Sequence, residues 1–155
     1  MANRFQVTEQ TKLQVQTILE QLSLDEKVHI LTGEIGPEEL AAMSQMNRMY
    51  NPTPWQAGGI ERLQVPPLKF SDGPRGVVMY VSTCFPVTMA RAASFDRELE
   101  NRIGQVIGVE VRAGGANYFG GVCINLLRHP AWGRAQESYG EDPYLQGELG
   151  LALTQ

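Results

Sequence analysis

Two short stretches concentrate the side chains that could do chemistry. The first is Ser71-Asp72-Gly73-Pro74-Arg75-Gly76. It follows an apolar, extended run, Pro66-Pro67-Leu68-Lys69-Phe70, and reads as a strand end entering a tight loop. A carboxylate held there can accept charge-assisted hydrogen bonds from two neighbouring hydroxyls of a sugar ring. The glycines let the backbone turn at no steric cost. On the pattern alone, Asp-Gly-Pro reads mostly as a plain turn. The second stretch runs from Asn125 through Arg128-His129-Pro130-Ala131-Trp132-Gly133-Arg134 to Glu137 and Asp142-Pro143. An arginine fork can bind vicinal hydroxyls or hold a carboxylate in place, and Trp132 can stack on the apolar face of a sugar ring. His129 sits among these residues and is expected to pack behind them. The alternative is a surface loop whose Arg–Glu pairs only fix its shape.

The elements that must carry these loops are legible from periodicity. Leu13, Val15, Ile18, Leu19 and Leu22 mark one helix, most of them on one face. Ser23 and Glu26 form a capping box for a second, with Gly33 as its C′ residue. Residues 34–62 are irregular, with a short helix expected around Glu38 to Met46. Cys84 to Met89 reads as a short strand. Asp96 to Arg112 is the cleanest helix, with Leu99, Ile103, Val106 and Ile107 in register and Gly114-Gly115 ending it. Asn117 to Leu127 reads as a buried parallel strand. Asp142 is expected as an N-cap with Pro143 at N1, opening a helix through Leu153. Strand, helix, strand, helix points to α/β with a parallel sheet. At 155 residues, it falls short of the roughly 250 that a (β/α)₈ barrel takes.

Composition narrows the function classes. The chain is 43% hydrophobic and 19% charged with a net charge of −4 and no basic cluster, so a nucleic-acid partner is not expected. No run is long enough for a membrane span. The polar N-terminus lacks the apolar core of a secretory signal, so a cytoplasmic location is expected if Met1 is the natural start. Cys84 and Cys123 show no zinc spacing and are expected as buried free thiols. His29 falls in a helix and reads as a surface residue. There is no phosphate-binding glycine loop and no nucleophile elbow, and no metal or cofactor is expected.

Taken in order, these segments resemble glycoside hydrolase family 3. Leu22-Ser23-Leu24-Asp25-Glu26-Lys27-Val28 is similar to the family's opening LSLEEKV helix, and Gly59 to Leu68 to its IPRLGIPPL approach. Cys84-Phe85-Pro86 with Ala92-Ala93-Ser94-Phe95-Asp96 resembles its CFP…AATFD segment, and Asn125 to Pro143 its NIQRSPLGGRNFESFGEDP loop. The resemblance covers residues 22–155, with 1–21 as a leading helix. It implies an incomplete N-terminal portion of a (β/α)₈ TIM-like barrel, lacking the α/β sandwich domain that follows it. It implies a retaining glycosidase, closest to the β-glucosidase branch, acting on a terminal β-D-glucosyl or related residue.

By the resemblance, Asp72 and Arg134 bind the sugar, Arg128 supports them, and Glu137 orients an arginine. Trp132 and His129 are supporting residues. Many relatives carry a sugar-binding arginine six positions after the aspartate, where this chain has Val78. The family's Lys-His pair, nucleophilic aspartate and acid/base glutamate map to nothing in this chain. No catalytic residue is therefore expected, and the chain alone is expected to be inactive. Its expected partner is the missing C-terminal part of the same enzyme. The alternatives are a non-catalytic sugar-binding module and an inactive remnant.

Overall fold

The computed structural model describes residues 7–33, 36–38, 41, 53–79 and 81–155. Helix α1, Glu9–Gln21, starts at Thr8, whose hydroxyl accepts from Thr11 N–H, and α2 spans Leu24–Ile30. At α2 the capping box is complete. Ser23 Oγ accepts from Glu26 N–H at 3.2 Å and Glu26 Oε2 accepts from Ser23 N–H at 2.8 Å, satisfying two otherwise orphaned donors. Gly33 is not the C′ residue: Leu31 caps the helix, and Gly33 instead makes an antiparallel bridge to Ala57. The short helix expected around Glu38 to Met46 lies largely outside the described residues.

Strands β1 (Trp55–Ala57), β2 (Leu68–Ser71) and β3 (Tyr118–Phe119) form one sheet in that order. β2 and β3 are parallel, with Phe70 opposite Tyr118 and Ser71 opposite Phe119. β1 runs antiparallel to β2, a departure from the all-parallel expectation. The segment between β1 and β2 is too short for a parallel crossover of a dozen or more residues. It turns instead through a 3₁₀ turn at Glu61–Leu63.

Two expected strands are absent or shortened. Residues 82–87 are irregular and Thr88–Ala92 is a short helix, α3, because Pro86 cannot donate to a ladder and little β pairing is within reach. Only Tyr118 and Phe119 of the run Asn117 to Leu127 pair, since the Gly120-Gly121 pair supplies no side chains and the chain leaves the sheet there.

Between β2 and β3 lies α4, Arg97–Ala113, N-capped by Asp96 through Leu99 N–H at 2.9 Å. Helix α5, Pro143–Leu153, opens on Asp142, which accepts from Leu145 N–H at 2.7 Å, with Pro143 in the first turn. These two helices pack together. Val77, Met79, Ile103, Ile107, Val111, Ala116 and Leu153 form the larger buried cluster, with Phe119 and Val122 against it. Ala92, Tyr139 and Leu149 form a smaller one. The core thus lies on the helix side of β2 and β3 and directly under the two loops of interest. No helix among the described residues is long and apolar enough to cross a membrane.

Candidate substrate-binding site

Asp72 immediately follows β2, as the strand-to-loop pattern requires. Its loop is closed by Val78 N–H donating to Asp72 O at 2.9 Å and Gly76 N–H donating to Gly73 O at 3.2 Å. Gly73 has φ +131°, and a Cβ there would sit 1.8 Å from Gly76 O, so no other residue fits this turn. The second loop reaches the first through Gly121. A Cβ on Gly121 would lie 2.6 Å from Gly73 O, so its absence lets the chain leaving β3 run against the Asp72 turn.

The two motifs therefore meet. Asp72 is half-buried, and its Oδ1 is enclosed with no hydrogen-bond partner among the described residues. Burial pushes its carboxyl above the usual range; the positive charge of Arg134 opposes that shift and the negative charge of Glu137 adds to it. Arg134 donates through Nε and Nη2 to the same Glu137 oxygen, Oε2, at 2.8 and 2.5 Å. A short 3₁₀ turn, Ala135–Glu137, makes this contact possible by placing the two residues three apart on one face. The hydrogen bond to Glu137 raises the Arg134 pKa further, so the guanidinium is a permanent cation. One face of the site thus offers a carboxylate acceptor and the other the Arg134 N–H groups that Glu137 leaves free, those on Nη1 and one on Nη2. This pairing suits a ligand with several hydroxyls, each able to accept and donate.

The remaining expected residues are less engaged. Arg128 is exposed and forms no hydrogen bond or ion pair with any described residue. His129 is exposed rather than packed behind the loop; its Nδ1 accepts from Ala131 N–H at 3.1 Å and so shapes the turn. Trp132 is half-buried, and its backbone N–H closes the same turn onto His129 O at 3.1 Å. Val78 is 39% exposed beside the Asp72 loop. His29 is exposed, in keeping with its surface reading.

The cysteines differ from expectation. Cys84 is exposed, lying on the irregular segment that replaced the expected strand, and Cys123 is only half-buried. Sequence reasoning missed Cys123 as a member of the site. Its Sγ lies 3.8 Å from Glu137 Oε2, and burial, then the charge of Glu137, keeps the thiol protonated. The signal was its position within the run leading to the second loop. No group of three or more His, Cys, Asp or Glu side chains suited to a metal occurs among the described residues.

Comparison with known proteins places the chain in a family. The model described as the glycosyl hydrolase family 3 N terminal domain matches residues 17–155. The chain belongs to glycosyl hydrolase family 3. "Probable beta-glucosidase J" of Aspergillus fumigatus is 35% identical over 139 residues, covering 86% of this chain and 14% of that protein. Beta-glucosidase B of Emericella nidulans is 31% identical over 142 residues, covering 88% and 15%. Among solved structures, beta-glucosidase 3B from Thermotoga neapolitana in complex with glucose superposes with a TM-score of 0.76 at 30% identity. That match covers 90% of this chain and 21% of the other. The Kluyveromyces marxianus beta-glucosidase in complex with glucose gives a TM-score of 0.70 at 31% identity, covering 90% and 15%. The fold is thus an incomplete portion of a TIM-like barrel, and the chain spans a fifth or less of the length of most of these relatives.

Proposed function

We propose that this chain supplies the sugar-binding portion of a retaining glycosidase of the β-glucosidase type. Asp72 and Arg134 would bind a terminal β-D-glucosyl residue, and Arg128 would add a contact from the exposed rim. The observation that carries this reading is the convergence of Asp72 with the Arg134–Glu137 pair from a distant part of the chain. Relatives solved with glucose support the choice of sugar.

The chemical step would come from elsewhere in the enzyme. Retention needs two carboxyl groups about 5 Å apart, one a nucleophile and one a protonated acid. Glu137 is held by Arg134, and Asp142 is occupied as the N-cap of α5. Neither Glu137 nor Asp142 is then free to pair with Asp72, which would be left as a hydroxyl acceptor. The 155-residue chain should therefore bind sugar without hydrolysing it.

Hydrolysis of 4-nitrophenyl β-D-glucoside by the chain, alone and mixed with the downstream polypeptide, tests this. Activity only in the mixture is the expected result. Activity of the chain alone, abolished by Asp72→Ala, would overturn it. Glucose binding should weaken at least tenfold in Asp72→Ala, since a hydrogen bond to a charged group contributes about 1.5–3 kcal/mol. Binding without activity in any mixture would instead identify a non-catalytic sugar-binding module.

A further inference from the structure

Behind the two loops lies a buried ion pair that belongs to neither motif. Arg91 of α3 and Glu100 of α4 approach at 3.3 Å, and each side chain is 2% exposed. Arg91 Nη2 also donates to Pro74 O, inside the Asp72 loop, at 3.1 Å, with a longer contact to Thr88 Oγ1 at 3.4 Å. From the other side, the Tyr139 hydroxyl donates to Glu100 Oε1 at 2.5 Å. Tyr139 is 2% exposed and stands two residues beyond Glu137. Its ring centroid is 6.0 Å from the Arg91 guanidinium. Burial, reinforced by the bond to Glu100, raises the Tyr139 hydroxyl far above its ordinary pKa, so it remains a donor at any ordinary pH.

One charge pair therefore touches both loops. We propose that Arg91 and Glu100 are positioning residues, holding the Asp72 loop through Pro74 O and the Arg134 loop through Tyr139 at a fixed separation. Its bearing on sugar binding rests on the function proposed above; the clamp itself does not. Two physical points favour positioning over simple stabilisation. An apolar pair of similar volume is often as stable as a buried ion pair or more so, hence stability alone gives little reason for charges here. Arg91 also leaves Nε and Nη1 enclosed without partners among the described residues, a cost that a purely structural filler would avoid. What the charges add is direction: the planar guanidinium fixes the line from Glu100 to Pro74 O in a way that an alkyl chain cannot.

Amide hydrogen exchange on the full 155-residue chain tests the clamp without sugar. In the double variant Arg91→Met, Glu100→Met, which leaves no buried charge unpaired, exchange at Gly76, Val78, Glu137 and Ser138 should accelerate at least tenfold while the centre of α4 is unchanged. Tyr139→Phe, a milder change, should accelerate Glu137 and Ser138 only. Glucose affinity should fall at least tenfold in the double variant. Unchanged exchange in both loops would overturn the proposal, as would equal acceleration throughout α4 and α5. Exchange that follows the expected pattern in a protein that never binds glucose would uphold the clamp and refute the sugar-binding reading.

Discussion

Burial disfavours the charged form of the Asp72 carboxyl. Its pKa in the folded chain lies above the unfolded value. A raised carboxyl pKa contributes stability below the unfolded pKa, and that contribution is lost as pH rises through the folded value. Asp72→Asn, which removes the charge and keeps the shape, should therefore raise the thermal midpoint near pH 7 and lose that advantage in acid. Denaturation scans at the two pH values read the difference. Sugar binding should move the opposite way, because only the carboxylate accepts from two hydroxyls. The affinity of the unaltered chain should fall as pH drops through the raised Asp72 pKa, measured by glucose titration.

Elements make their own predictions. Glu26 closes the capping box and also accepts from Arg62 Nε at 2.6 Å, which ties α2 to the 3₁₀ turn before β2. The Arg62 bond, then the Ser23 N–H, hold its carboxyl at about 2, below an ordinary value of 4.5. Its contribution is complete above 4.5 and lost as pH falls towards 2, so Glu26→Gln should flatten the acid limb of a stability profile. On α4, Ile107 is 3% exposed in the larger cluster. Ile107→Ala should cost about 2–5 kcal/mol. For a chain of this size that is a midpoint lowered by roughly 4–20 °C in a thermal melt.

The caps at Ser23 and Asp142 were legible in the sequence because capping is settled within four residues. Asp72 at a strand end was legible for the same local reason. The antiparallel sense of β1 was not, since it depends on how far a connection can reach in space. Arg91 and Glu100 read as surface charges in any sequence pattern; only the packing of α3 on α4 makes them a buried pair. Cys84 and Met89 had strand-like neighbours but found little to pair with. Most of what failed needed a distant partner; the Gly33 cap, a local inference, failed because α2 already ends at Leu31.

As a whole, the chain leaves apolar side chains without cover among its described residues. They include Leu13 at 69% and Val15 at 51%, and no residue of α1 is fully buried. Among the described residues the sheet is likewise only partly covered on the face of Trp55, Phe70 and Tyr118, which line a groove of about 380 Å³. Alone in solution the chain should self-associate with rising concentration, and a polypeptide supplying the rest of the proposed barrel should reverse this. Light scattering with and without that polypeptide is the direct check.

The small bridge from Gly33 to Ala57 bears on what form such self-association takes. It occupies part of the outer side of β1, leaving β3 as the more open flank of the sheet. For strand pairing alone, one open flank gives the sheet a valence of one. Two copies meeting rim to rim would exhaust it, giving a closed twofold pair in place of an endless fibre.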